Sequence, residues 1–209
     1  GAAGFIGYHT SNLLIKSGHK VFGIDSYNNY YSVNLKKLRI SELKKIGKKN
    51  FNFEKNNLNS EEFILKHLIK NKIQIVIHLA AQAGVRHSLK KPMDYVKNNI
   101  VATTNLMEAT RKYKSLKHFL LASTSSVYAS STKMPFNEND PADFPLQFYA
   151  ATKRSTELMA HSYSHLYKIP FTILRFFTVY GPFGRPDMAL FKFTKGIISN
   201  KKIDIYNRG

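Results

Sequence analysis

Cysteine is absent from this chain, so it can form neither a disulfide framework nor a thiolate metal site. Its eight histidines are scattered and show no ligand spacing, so no metal is expected. No apolar run approaches the roughly 20 residues needed to cross a bilayer. Acidic residues are scarce: 13 face 32 Lys and Arg, a formal net charge of +19. Such an excess suits nucleic acid or a polyanionic surface. The lysines, however, are dispersed, as in Lys36-Lys37, Lys44-Lys45, Lys48-Lys49, Lys90-Lys91 and Lys201-Lys202. They stand beside many asparagines and lack the interleaved aromatics of an RNA platform. They read as a solvated surface whose field draws in an anionic nucleotide, and no nucleic-acid partner is expected. Repeats, linkers and low-complexity tracts are also missing. A hydrophobic content of 43% over 209 residues is ample for a core.

What is present begins at the first residue. Gly1, Gly4 and Gly7 are spaced three and three, directly before a helical run over residues 5–17. Such a turn lets backbone N–H groups approach a pyrophosphate at the positive end of the helix. Val21-Phe22-Gly23-Ile24 reads as a strand ending in Asp25. An acid there accepts from the adenosine ribose hydroxyls and repels a 2′-phosphate, which predicts NAD rather than NADP. The spacing differs from G-x-G-x-x-G, and alone it would be a weak signal. Further along, Tyr149 and Lys153 stand four apart, on one face of a predicted helix. The ammonium favours the phenolate over the phenol, and the serine-rich segment Ser123-Thr124-Ser125-Ser126 supplies hydroxyls upstream. Together these suit moving a proton on an alcohol while hydride leaves its carbon.

Helix and strand signals alternate. Helices are predicted over residues 5–17, 33–45, 60–71, 92–112, 149–167 and 188–200. Strands are predicted over 20–25, 51–55, 73–79, 118–122, 171–176 and 203–206. Asn59 and Glu62 have capping-box spacing, and the apolar run 73–79 predicts a strand buried on both faces. His78 and His118 are expected as satisfied core histidines, and Phe176-Phe177 as core packing. The fold class is therefore α/β: a Rossmann-like doubly wound parallel sheet with ligands at the carboxyl ends of its strands, where Gly4, Asp25, Ala80 and Ser123 fall. The expected division is 1–177 for the NAD-binding domain and 178–209 for the start of a small substrate-binding lobe. The strand that normally delivers such a glycine turn is not in the sequence, so the chain reads as a fragment of a longer protein.

These residues resemble the extended short-chain dehydrogenase/reductases, in the branch of NAD-dependent nucleotide-sugar epimerases and dehydratases. The resemblance covers Gly1–Gly7, Asp25, His78-Leu79-Ala80-Ala81-Gln82, Asn99, Thr124, Tyr149 and Lys153. The strings Tyr27-Asn28-Asn29-Tyr30-Tyr31, Ala81-Gln82-Ala83-Gly84-Val85-Arg86, Phe176-Phe177-Thr178-Val179-Tyr180-Gly181-Pro182 and Gly184-Arg185-Pro186-Asp187-Met188-Ala189 are most similar to the UDP-glucuronate 4-epimerases.

The resemblance implies catalytic roles for Thr124, Tyr149 and Lys153. It implies cofactor contacts from Gly1, Gly4, Phe5, Ile6, Gly7, Asp25, Asn28, Asn57, Leu58, Leu79, Ala80, Ala81, Gln82, Asn99, Tyr149 and Lys153. Asn57 stands where the family usually has an Asp that binds adenine. Substrate contacts are implied for Arg86, Ser125, Ser126, Thr178, Arg185 and Tyr206, the last in the uracil pocket. Asp187 is the rival partner for Arg185. Dehydratases of this family carry Asp-Glu after the active-site Thr, and decarboxylases a Glu before Val-Tyr. Here Ser125 and Ser126 precede Val127-Tyr128, which suits reversible oxidation alone. The implied reaction converts UDP-glucuronate to UDP-galacturonate in a cytoplasmic homodimer. The rivals are another nucleotide-sugar epimerase or decarboxylase, and an inactive NAD-binding module that regulates a partner.

Overall fold

The extended backbone of Gly4 (φ −68°, ψ 168°) opens the first helix, α1 (Phe5–Lys16). The helix ends at Ser17, followed by Gly18 in the left-handed region at φ 84°, a conformation that costs glycine little. The computed structural model describes residues 1–128 and 134–204. After α1 come β1 (Val21–Asp25), α2 (Val33–Gly47), β2 (Phe51–Lys55), α3 (Glu61–Lys70) and β3 (Ile75–His78). A helical stretch follows: α4 (Val85–Lys90), α5 (Pro92–Tyr95), a π-helical segment Val96–Val101, and α6 (Ala102–Lys112). The chain continues through β4 (His118–Thr124), the 3-10 turn Ser125–Tyr128, α7 (Phe148–Tyr167), β5 (Phe171–Phe176) and α8 (Ala189–Ile198).

The alternation is that of a mixed α/β protein with a parallel sheet, and it divides into two compact units. One contains Gly1 and Glu54–Phe177; the other contains Ala2–Phe53 and the described residues from Thr178 onward. In the first unit β3, β4 and β5 form a sheet in that order, all parallel, with Ile75 opposite His118 and Thr124 opposite Phe176. Alternate β4 residues Phe119 and Leu121 are fully buried with Ile64 and Leu68 of α3, Leu106 and Met107 of α6, and Ala160 of α7. Each such large side chain contributes about 1.5–3 kcal/mol relative to exposure. In the second unit β1 and β2 are hydrogen-bonded neighbours, and Tyr8 and Ile15 of α1 pack on Ile40 and Leu43 of α2 and on Phe51.

Several elements differ from the sequence reading. Ser60 caps α3, its hydroxyl accepting from the Phe63 N–H, whereas Asn59 lies outside the helix. β3 is the outer strand of the described three-stranded sheet, and Ile75 is 53% exposed, so the run is not buried on both faces. The predicted single helix over 92–112 is interrupted by the π segment. Phe177 is exposed and stacks on Phe136 at 6.2 Å, so it is not a core residue. His78 is buried and paired with Thr103, while His118 is half-exposed and bonded to Thr172. No strand forms over Lys201–Asp204, and the remainder of that expected element lies outside the described residues.

Candidate active site

Tyr149 and Lys153 occupy the first two turns of α7, which starts after Gln147 with its extended backbone. The Tyr149 ring meets Tyr95 edge-on, 6.0 Å between centroids at 71°. Lys153 is 2% exposed, and no described residue accepts a hydrogen bond from its ammonium. Burial lowers its pKa to about 8, opposed by the carboxylate of Glu157 one turn on. α7 packs against β4 and against the turn Ser125–Tyr128. Thr124, buried at the end of β4, accepts from the Ser126 N–H and donates to the Ser126 hydroxyl, both at 3.2 Å. Ser125 and Ser126 are half-buried, and their turn is anchored by Val127 and Tyr128 in a small core with Ala142.

Asn99, fully buried in the π segment, joins the loop after β3 to α7. Its Oδ1 accepts from the Gln82 N–H at 2.7 Å, and its Nδ2 donates to Gln82 O at 3.1 Å and to Thr152 Oγ1 at 3.0 Å. Thr152 in turn donates to the carbonyl of Tyr149 at 2.7 Å. Asn99 therefore fixes the backbone carrying the Tyr/Lys pair, a role suited to a π segment at a functional site. In the same unit, a Cβ on Gly1 would stand 2.6 Å from Ala80 N and Leu79 C, so only glycine allows this approach to the end of β3. Leu79, Ala80 and Ala81 line that half-buried loop. Leu58 accepts at its carbonyl from Asn105, and exposed Asn57 uses Oδ1 to accept from the Asn59 N–H. Arg86 is exposed on α4.

The second unit contains the rest of the glycine turn. No side chain caps α1 and no acid occupies its first turn, which leaves an N-terminus suited to an anion. Asp25 steadies the turn, accepting from the N–H of Ala3 at 3.1 Å and of Tyr27 at 2.9 Å. Tyr27 holds φ 55°, a costly value for a bulky residue, and its ring stacks on Phe53 at 5.2 Å. Asn28 accepts twice from Lys36 Nζ, at 2.7 and 2.6 Å. Arg185 donates to both Asp187 oxygens, at 3.0 and 2.5 Å, and lies over the rings of Tyr30 and Tyr31. Burial works against the Arg185 charge, but Asp187 outweighs it and raises the pKa. Thr178 is exposed. An apolar cleft of about 400 Å³ is lined by Tyr180, Arg185, Met188, Phe191 and Ile198. Tyr206 lies outside the described residues.

Two features escaped the sequence. Lys36 and Arg39 are buried, contrary to the solvated lysine surface expected over α2. Arg39 donates to Ala3 O (2.8 Å), Phe183 O (2.6 and 3.2 Å) and the Tyr31 hydroxyl (2.7 Å). The only signal was position: both lie on the α2 face that carries Ile40 and Leu43. Glu157 is the other omission. Its carboxylate accepts from the hydroxyl of Ser123, from Arg154 at 2.9 Å, and from Arg175 at 3.0 and 2.8 Å. Among the described residues no group of three His, Cys, Asp or Glu could hold a metal, and no helix is long and apolar enough to cross a membrane.

A parallel sheet, an uncapped glycine turn and a Tyr-x-x-x-Lys helix beside a Thr-ended strand define a Rossmann-like protein of the short-chain dehydrogenase/reductase type. The family model described as GDP-mannose 4,6 dehydratase matches residues 1–206, and the chain belongs to that family of epimerases and dehydratases. It is 53% identical over 209 residues to Protein CapI of Staphylococcus aureus, covering 100% of this chain and 61% of the relative. It is 49% identical to a probable UDP-glucuronate 4-epimerase of Rhizobium meliloti (strain 1021), covering 100% and 60%. Among solved structures, the UDP-glucuronic acid 4-epimerase of Bacillus cereus in complex with UDP-glucuronic acid and NAD is 39% identical. Its TM-score is 0.90, over 100% of this chain and 64% of that one. The chain thus spans about 60% of the length of these curated relatives.

Proposed function

We propose that the whole protein is an NAD-dependent UDP-sugar 4-epimerase that interconverts UDP-glucuronate and UDP-galacturonate. The observation that carries the reading is Lys153, a buried ammonium with no hydrogen bond among the described residues, one helical turn from Tyr149. The residues fit a dinucleotide: the bare N-terminus of α1 suits a diphosphate, and Asp25 suits ribose hydroxyls. NAD, when bound, takes up hydride and gives it back. Tyr149, as phenolate, takes the proton of the sugar 4-hydroxyl, and Thr124 hydrogen-bonds the same oxygen. Lys153 stabilises the phenolate and holds the nicotinamide ribose. The 4-keto sugar turns over and is reduced on its opposite face. Residues 1–177 are assigned to cofactor binding and those from 178 to the beginning of a substrate lobe, and the protein is assigned as a homodimer.

The choice of sugar rests on its carboxylate. A 4-keto uronate is a β-keto acid and loses CO₂ if its carboxylate turns perpendicular to the ketone plane, so an epimerase must hold that group still. Thr124, Ser125 and Ser126 supply hydroxyls for this. Two hydroxyls after Thr124, in place of an acid/base pair, also disfavour dehydration. Arg185 adds charge complementarity although Asp187 engages its fork. With Arg185→His in the whole protein, turnover of UDP-glucuronate and its preference over UDP-glucose should both fall; unchanged values would assign Arg185 to Asp187 alone. The decisive assay incubates the whole protein with UDP-glucuronate and NAD and assigns products by NMR. UDP-galacturonate is expected. A UDP-pentose would assign a decarboxylase, and retained NAD without turnover a regulatory binding module.

A further inference from the structure

The first unit holds a buried charge network with no direct part in the proposed chemistry. Glu157 lies four residues after Lys153 on α7 and is 2% exposed. Ser123, the residue before Thr124, donates its hydroxyl to Oε1. Arg175 on β5 grips both carboxylate oxygens, and its Nη1 reaches the Tyr128 hydroxyl at 2.6 Å. Arg154 adds a third donor and is itself bonded to Asp143 at 3.0 Å. One carboxylate therefore ties together the strand end carrying Thr124, the turn carrying Ser125 and Ser126, and the helix carrying Tyr149 and Lys153. We propose that Glu157 is the positioning residue that keeps Lys153 in its ammonium form, with Arg175 and Ser123 fixing the carboxylate for that task. The inference rests on the roles proposed above for Tyr149 and Lys153, and deepens them.

The physical argument is one of charge balance in a dry place. An unpaired buried ammonium tends to shed its proton. On its own helix Lys153 has Tyr149, Arg154 and Glu157 as ionisable neighbours; from β3 it is sensed by His78, which burial and then Lys153 itself hold neutral. Among the described residues Glu157 is thus the one anion acting on Lys153. Burial alone would push the Glu157 carboxyl up, but Arg175, Ser123 and Arg154 outweigh it and keep the group ionised. Neutralising Glu157 would leave two guanidiniums near a buried ammonium, with exposed Asp143 bonded to one of them. The proton on Lys153 would then be held less tightly. Without the ammonium the Tyr149 phenolate loses its neighbouring charge, so the loss falls on the alkaline side of the pH profile.

Lysine labelled with ¹³C at Cε in the whole protein reports this titration directly, with Lys153 assigned by loss of its signal in Lys153→Arg. Glu157→Gln is expected to weaken proton binding at Lys153 about tenfold, one pKa unit. Glu157→Asp, which keeps the charge, should retain most of the wild-type value. In turnover, Glu157→Gln should move the alkaline limb of the pH–rate profile down by about as much as the Lys153 titration, and change kcat more than KM. A purely structural role would lower activity evenly at every pH. Should Glu157→Gln not fold, since it strands Arg175, the double variant Glu157→Gln/Arg175→Met removes both charges and should still displace the titration downward. An unmoved Lys153 titration in the folded variant overturns the proposal. A protein that titrates as expected but does not epimerise counts against the proposed function alone.

Discussion

Tyr149→Phe should lower kcat by about 10²–10⁴-fold, the usual range for a lost general base, with little change in the KM for the UDP-sugar. Phenylalanine keeps the ring that packs edge-on against Tyr95, and α7 is held through backbone and neighbouring groups: Asn99 through Thr152 to the Tyr149 carbonyl. The variant keeps these packing and backbone contacts, so NAD should still be retained. Steady-state kinetics with UDP-glucuronate, alongside the absorbance of bound cofactor, separates these terms. A loss confined to KM would mean that Tyr149 binds sugar without moving a proton. The wild type carries a linked expectation: Lys153 deprotonates near pH 8, so kcat should decline above that value as the phenolate loses its neighbouring charge.

Where a functional group depends on spacing along one element, the sequence showed it plainly. Tyr149 and Lys153 share a helix face by their separation of four, and the glycine turn announces α1 because the three glycines are contiguous with it. Strand-to-helix alternation was equally visible. Groups assembled from distant segments were not. Glu157 meets Arg175, 18 residues away on β5, and nothing local in either neighbourhood marks the pairing. Asn99 was legible as a site residue, but its work on Gln82 and Thr152 depends on a π segment that helical periodicity does not announce. Arg185 was read from a family string, yet its local environment is dominated by Asp187 two residues on. The most instructive failure is α2, where Leu35-Lys36-Lys37-Leu38-Arg39 looks like a solvated basic run. Lys36 is buried while its neighbour Lys37 is exposed. Composition averages over the faces of a helix, but packing does not.

Arg39→Met should destabilise the unit containing α1 and α2 by about 3–5 kcal/mol, in the range for breaking a buried charged network. Arg39 is fully buried, and no carboxylate bonds to it among the described residues. Its charge is instead met by carbonyl oxygens of Ala3 and Phe183 and by the Tyr31 hydroxyl, all in the same unit. Methionine fills much of the volume but leaves those acceptors without their donor, the Ala3 carbonyl among them in a buried place. The change should therefore exceed that of an ordinary core swap of similar size, about 1.5 kcal/mol or less. Arg39→Lys should recover only part of the loss, because a single ammonium cannot copy the planar fork that serves four acceptors, Gly184 O at 3.4 Å among them. Because one of those acceptors, Ala3 O, belongs to the glycine turn, the damage should extend to cofactor retention as well as stability. Thermal unfolding of the whole protein with and without added NAD checks both: a lower midpoint and a weaker rise with NAD are expected. An Arg39→Met protein that melts and responds to NAD like the wild type would show that the carbonyl cage is incidental to the turn.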